Sequence, residues 1–228
     1  MSFGGLLSCS STAILDEAMK NRARYAAFLS YSWQARPELS TLLHTRLQRT
    51  ARPWWKIRAR RTFLDRSTIP AFTRTMLRLR SRPDPSIEKI LFGALSSAER
   101  FILMASRESA KSKWVNFEVE TWLKIRDVCD LFIVLIDGQI ESCSDRAEID
   151  WSKTNSLPIC LRGVLNSIPL YVDLREDFRD SLENTNNSTL HKAVVNLTAA
   201  IEGISRDEVE ARIIRQRWRR SQKVWQRE

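Results

Sequence analysis

The chain has 228 residues, 43% hydrophobic and 28% charged, a composition typical of a soluble globular protein with room for one sizeable α/β domain plus an appendage, or two small domains. Only 6 Gly and 7 Pro argue against a linker-rich or low-complexity chain, and no apolar run reaches the roughly 18 residues that a membrane span needs. The net charge of +10 is concentrated in Arg46 to Arg61, Arg74 to Arg82 and the tail after Arg212. With no nucleic-acid motif beside it, that charge reads as solvated helix faces that attract anionic ligands or partners, and nucleic acid is not an expected partner.

The first residues, Met1 to Leu15, are mildly apolar but carry no basic residue ahead of Leu6-Leu7, and Leu6-Leu7-Ser8-Cys9 follows too short a segment to be a signal sequence. We read residues 1–21 as an N-terminal arm of a cytoplasmic protein. Cys9, Cys129, Cys143 and Cys160 have no C-x-x-C spacing and are expected as reduced thiols. His44 and His191 are the two histidines, too few for a His-based metal site or a catalytic triad, so no metal is expected.

Tyr25 to Ser30 is a short apolar run ending in the polar turn Tyr31-Ser32-Trp33, the pattern of a buried strand feeding a loop. Pro37 suits the first turn of a helix that carries Leu39, Leu42, Leu43 and Leu47 at helical spacing, and Arg52-Pro53-Trp54-Trp55 breaks it. Arg61 to Asp65 reads as a second strand and Asp65 to Ala71 as its loop. A basic, turn-rich insert with Arg80 to Pro85 follows. Ser86 is the expected cap of a helix with Ile87, Ile90, Leu91, Ala94 and Leu95 on one side.

Arg100 to Ser106 reads as a third strand. In Ser112 to Leu123, taken at about 100° per residue, Val115, Val119, Trp122 and Leu123 gather on one helical face. Glu118 falls at the edge of that face, between Trp114 one turn before and Trp122 one turn after. Glu120 lies about 160° round from it, with Lys113 and Lys124, where water is its expected partner. Leu131 to Ile136, closed by Asp137-Gly138, is the clearest strand, and Pro169 to Leu174 is a fifth. Strands apolar throughout and alternating with helices describe a parallel sheet covered on both faces, with ligand sites at the carboxyl ends of its strands. Tyr31, Asp65, Ser106 and Asp137 all fall at such ends. From Leu190 two helices are expected, the first through Val194, Leu197 and Ile201 and the second, after Gly203, through Val209, Ile213, Ile214, Trp218 and Trp225. The second can pack on the domain, lie on an anionic membrane or pair with a partner.

Five pieces in this order resemble a bacterial Toll/interleukin-1 receptor (TIR) domain: Phe28 to Ser32, Phe63 to Asp65 with Ile69 to Ala71, Phe101 to Ser106, Ser112 to Glu118, and Ile133 to Gly138. Asp150-Trp151, Leu157-Pro158 and Pro169 to Arg175 resemble TIR modules that open larger defence proteins. The resemblance implies an α/β, flavodoxin-like fold with five parallel strands and helices on both faces. It sets a TIR domain at 22–178 and a C-terminal helical extension at 179–228. It also implies cleavage of NAD at the nicotinamide–ribose bond, with NAD as substrate and no cofactor, yielding ADP-ribose or a cyclic isomer.

In that family the essential glutamate ends a W-x-x-x-E pattern, here Trp114 to Glu118. The loop from Asp65 through Ile69 and Pro70 to Ala71 is the family's self-association loop, and the basic insert Phe72 to Pro85 is this chain's departure. Trp114 and Tyr31 are candidates to stack on nicotinamide or ribose, or else to pack in the core. Ser106 and Arg66 are candidates for phosphate or ribose, or else a loop-capping hydroxyl and a solvated arginine. The function so implied is an assembly-activated defence or signalling effector of the antiphage kind, working with a sensor protein or further domains. The alternative is a non-catalytic module for homotypic assembly, using the same loop and an outward Phe117.

Overall fold

The computed structural model describes residues 25–50, 61–65, 85–143, 148–165, 167, 169–175 and 189–225. Their order is β1 (Tyr25–Ser30), α1 (Pro37–Thr50), β2 (Arg61–Asp65), α2 (Pro85–Ser96), β3 (Ala98–Ala105), α3 (Arg107–Lys111), α4 (Lys113–Ile125), β4 (Leu131–Leu135), β5 (Tyr171–Asp173), α5 (Thr189–Glu202) and α6 (Arg206–Trp225). Short 3-10 turns at Val128–Asp130 and Ile159–Leu161 lead into β4 and sit between β4 and β5.

The five strands form one parallel sheet in the order β2-β1-β3-β4-β5. The chain steps from β1 to β2 in one direction and from β3 onward in the other. Right-handed crossovers therefore place α1 on one face and α2 and α4 on the opposite one. The alternation of side chains along each strand shows the two layers. Phe28, Phe101, Leu103, Ala105, Ile133 and Leu135 meet Leu91 and Leu95 of α2 and Val115, Val119 and Trp122 of α4. Phe101 is the centre of this layer, with its ring 5.7 Å from that of Phe28 and 5.4 Å from that of Trp122. Ala27, Leu29, Ile102, Met104 and Val134 face the other way, onto Leu39, Leu43 and Leu47 of α1 and Leu190, Val194 and Leu197 of α5.

Several element boundaries differ from the sequence reading, among them those of β4, which ends at Leu135, and β5, which covers only Tyr171–Asp173. Helix α2 starts at Pro85, so Ser86 is its second residue and not its cap; proline is pre-organised for that first position. Strand β3 starts two residues earlier, at Ala98, because the fully buried Ala98 already pairs with Tyr25. Helix α5, placed by the sequence reading in an extension beyond residue 178, supplies part of the second core layer by packing against α1 and β1. Helix α6 docks on α5 through Val209 and Ile213, with Arg212 paired to Glu202 at 2.7 Å, and leaves Ile214 and Trp218 exposed. Among the described residues no helix is long and apolar enough to cross a membrane.

Candidate active site at the carboxyl end of the sheet

Helix α4 begins where the Ser112 side chain accepts from the Val115 N–H, and it buries Val115, Val119 and Trp122 against the sheet. Glu118 lies on the same side, because it is one turn from both Val115 and Trp122. Its side chain is 0% exposed, while Glu120 on the opposite side is open to solvent. A buried carboxylate needs donors. The Ser30 hydroxyl, itself 1% exposed, donates to Glu118 Oε2 at 2.5 Å. Ser30 ends β1 two residues after Phe28, so it points to the α4 face by simple alternation.

This bond sits where β1 and β3 run side by side and their onward connections part in opposite directions. Such a switch point is where open parallel sheets form their ligand crevice. Trp114 is half-buried and packs against the α4-side core. Tyr31 belongs to the other layer, with its ring 6.0 Å from that of the exposed Trp33. The two aromatics that were candidates to stack on nicotinamide or ribose are therefore assigned to opposite layers of the sheet. Phe117, read as outward, is partly buried against the α4-side core.

Ser106 takes the capping alternative. Its oxygen accepts from the Ser109 N–H at 2.9 Å and lies 2.8 Å from the Ser109 hydroxyl, within the first turn of α3. Asp65 ends β2, in register with Leu29, at the same edge of the sheet. Arg66, Ile69 and Pro70 lie outside the described residues. Burial, then the Glu120 charge, pushes the Cys160 thiol up to about 11, which disfavours its thiolate.

Sequence reasoning assigned no role to Ser30, although its place two residues past a core phenylalanine was a signal. It placed Asp137 at a strand end suited to ligands but gave no role to the arginines that form a polar rim around Asp137-Gly138, beyond β4. Gly138 has φ +81, and a Cβ there would stand 2.5 Å from Asn155 Oδ1 and 3.2 Å from Arg107 Cγ. Arg175 Nη1 donates to the Gly138 carbonyl at 3.1 Å, and the same guanidinium grips Asp173 through Nε and Nη2. That grip holds the Asp173 carboxyl below its usual range. Arg36, with a φ of 38, donates from Nη1 to the Arg175 carbonyl at 3.0 Å. Arg107 Nε stands 3.7 Å from Asp137 Oδ2.

No protein-family model matches the chain. It is 30% identical over 195 residues, 85% of its own length, to a protein of Actinoplanes sp. named NAD(+) hydrolase ApTIR. The match takes in 25% of that relative, so the chain spans about a quarter of its length. By this likeness over most of its length, the chain belongs to the TIR domain proteins.

Proposed function

We propose that this chain cleaves NAD at the nicotinamide–ribose bond and that Glu118 is the residue on which the reaction depends. The observation that carries the reading is the buried Ser30–Glu118 bond at the switch point of the sheet, on the glutamate that ends the W-x-x-x-E pattern. The relative's name, an NAD(+) hydrolase, supports the same substrate.

Glycosidases acting on neutral sugars use two carboxyl groups, one of them to protonate the leaving oxygen. Nicotinamide leaves NAD as a neutral pyridine from a cationic one, so no general acid is needed. The C1′–N bond electrons go to the ring, and positive charge builds on the ribose. A carboxylate about 4 Å away stabilises that charge by about 4 kcal/mol at an effective dielectric near 20. At about 1.4 kcal/mol per tenfold, this is on the order of a thousandfold in rate. Water then adds its oxygen to C1′ and releases a proton, giving ADP-ribose; an internal nucleophile in place of water gives the cyclic isomer.

Glu118 has no exposed surface, so the sugar reaches it only when side chains over the crevice part. That requirement fits activation by self-association through the Asp65 to Ala71 loop, in a cytoplasmic defence or signalling effector serving a sensor protein or further domains. We set the TIR module at 22–178 and the C-terminal helices at 179–228, with α5 contributing to the module's core. The strand order β2-β1-β3-β4-β5 supports the flavodoxin-like class.

The same burial favours the second reading, a non-catalytic assembly module in which Glu118 only holds α4 to β1. Nicotinamide release from NAD by concentrated protein separates the two. Glu118→Gln is expected to lower it about a thousandfold, and Glu120→Gln to leave it within about twofold. Equal activity of the two variants removes Glu118 from the reaction, and no release at any protein concentration leaves the assembly module.

A further inference from the structure

The rim beyond β4 gathers more positive charge than its own carboxylates offset. Arg107 follows β3, Arg175 follows β5, and Arg36 lies in the loop after β1. Arg107 and Arg175 touch the Asp137-Gly138 turn directly, and Arg36 joins it through Arg175. The Arg107 stem lies over Gly138 at the distance where a Cβ would touch it, Arg175 holds the Gly138 carbonyl, and Arg36 holds the Arg175 carbonyl. Against these three guanidinium groups stand Asp137 and Asp173, leaving a local excess of one positive charge at the edge of the sheet where ligands bind.

The two acid–base pairs differ in grip. Arg175 and Asp173 meet at 2.7 Å with two nitrogens engaged, which anchors that guanidinium. Arg107 and Asp137 stand 3.7 Å apart, beyond hydrogen-bond length, and the Arg107 side chain is 58% exposed. Arg107 is thus the arm that can swing onto a ligand, while the other two shape a fixed positive wall. A guanidinium's planar fork matches phosphate oxygens two at a time.

Position names the ligand class. The turn follows β4, two strands from β1, so it lies about 10 Å across the sheet from the end of β1, where Ser30 meets Glu118 of α4. From C1′ of a ribose to its 5′ phosphorus the path is five bonds of about 1.5 Å each; being bent, it covers about half of that way, and the diphosphate and the Arg107 side chain span the rest. We propose that the Arg36–Arg107–Arg175 rim seats the diphosphate of a dinucleotide whose first ribose lies at Glu118. The placement of that ribose rests on the NAD-cleaving reading, but the seat itself requires only a diphosphate ligand.

The test is calorimetric titration of the intact chain with ADP, which has the diphosphate and no nicotinamide, and with adenosine, which has neither. Arg107→Gln is expected to weaken ADP about tenfold, Arg107→Lys to recover part of the loss, and Asp137→Asn to strengthen ADP a few-fold by removing a competing anion. Adenosine binding is expected to be the same in all four proteins, and thermal melting verifies that each is folded. ADP bound equally by wild type and Arg107→Gln, or not bound by wild type at all, overturns the proposal. So does a variant that loses ADP and adenosine together. If NAD is not cleaved but the ADP series holds, the catalytic reading alone fails; if cleavage depends on Glu118 but ADP ignores Arg107, the seat alone fails.

Discussion

The Ser30 hydroxyl and the Glu118 carboxylate, 88 positions apart in the chain, meet at 2.5 Å in a part of the fold that water does not reach. The bond ties the last residue of β1 to the middle of helix α4. A hydrogen bond to a charged group contributes about 1.5–3 kcal/mol, and a buried charge that loses a donor is costly.

Ser30→Ala is therefore expected to lower unfolding stability by about 1.5–3 kcal/mol and to slow nicotinamide release. Ser30→Thr, which keeps the hydroxyl on a side chain that strands favour, recovers part of both. Urea melts and the NAD assay on the two variants check this. An alanine variant as stable and as active as the wild type rules out a role for the bond.

Trp122 fills the α4-side core against Phe101, yet its indole N–H has no partner among the described residues. Its two contributions separate by substitution. Trp122→Ala is expected to cost about 3–5 kcal/mol through the cavity it leaves. Trp122→Phe keeps a ring against Phe101 and deletes the unsatisfied donor, so it costs clearly less. Equal losses in denaturant melts contradict the assignment.

Gly138 occupies a left-handed conformation with Asn155 and Ser156 packed where a side chain would begin. Gly138→Ala meets both the backbone strain and the contact at 2.5 Å with Asn155 Oδ1. A loss of about 1–3 kcal/mol is expected. Gly163, also at positive φ but with open space around it, provides the control: Gly163→Ala carries the backbone strain without the clash. A smaller loss at Gly163 than at Gly138 is the result that checks the packing argument.

His191 is held below its ordinary 6.5, first by burial, then by Arg217 and Arg46, with Glu210 opposing them. Between the lowered folded value and 6.5 the unfolded chain binds more proton than the folded one, so stability rises with pH across that window. The contribution is complete above 6.5 and is lost as pH falls below it toward the folded value. The stability of wild type minus that of His191→Gln should therefore shrink between about pH 7.5 and pH 5.5. Urea midpoints at the two pH values test this, and a constant difference contradicts it.

Much of the fold was legible because its signals are local. The apolar run Leu131 to Ile136 and the helical spacing of Val115, Val119 and Trp122 depend only on a period of two or of about 3.6. The separation of Glu118 from Glu120 followed from the same geometry, and the structure buries the first and exposes the second. Ser106 was harder to place, since a serine after a strand serves equally as a cap or a ligand contact. Only the position of Ser109 decides between them.

What the sequence by itself determined, then, is the five strands and the longer helices, the apolar face of each helix, and Glu118 at the edge of that face on α4; the short α3 reads as loop in the sequence. The tertiary structure decided what those faces meet. Strand order brings Ser30 to Glu118, assigns Tyr31 and Trp114 to opposite layers, and draws Arg107 and Arg175 around one glycine with Arg36 held on Arg175. These contacts join loops from strands far apart in the chain, and no local periodicity encodes them. They exist only because a parallel sheet delivers all its carboxyl ends to the same edge.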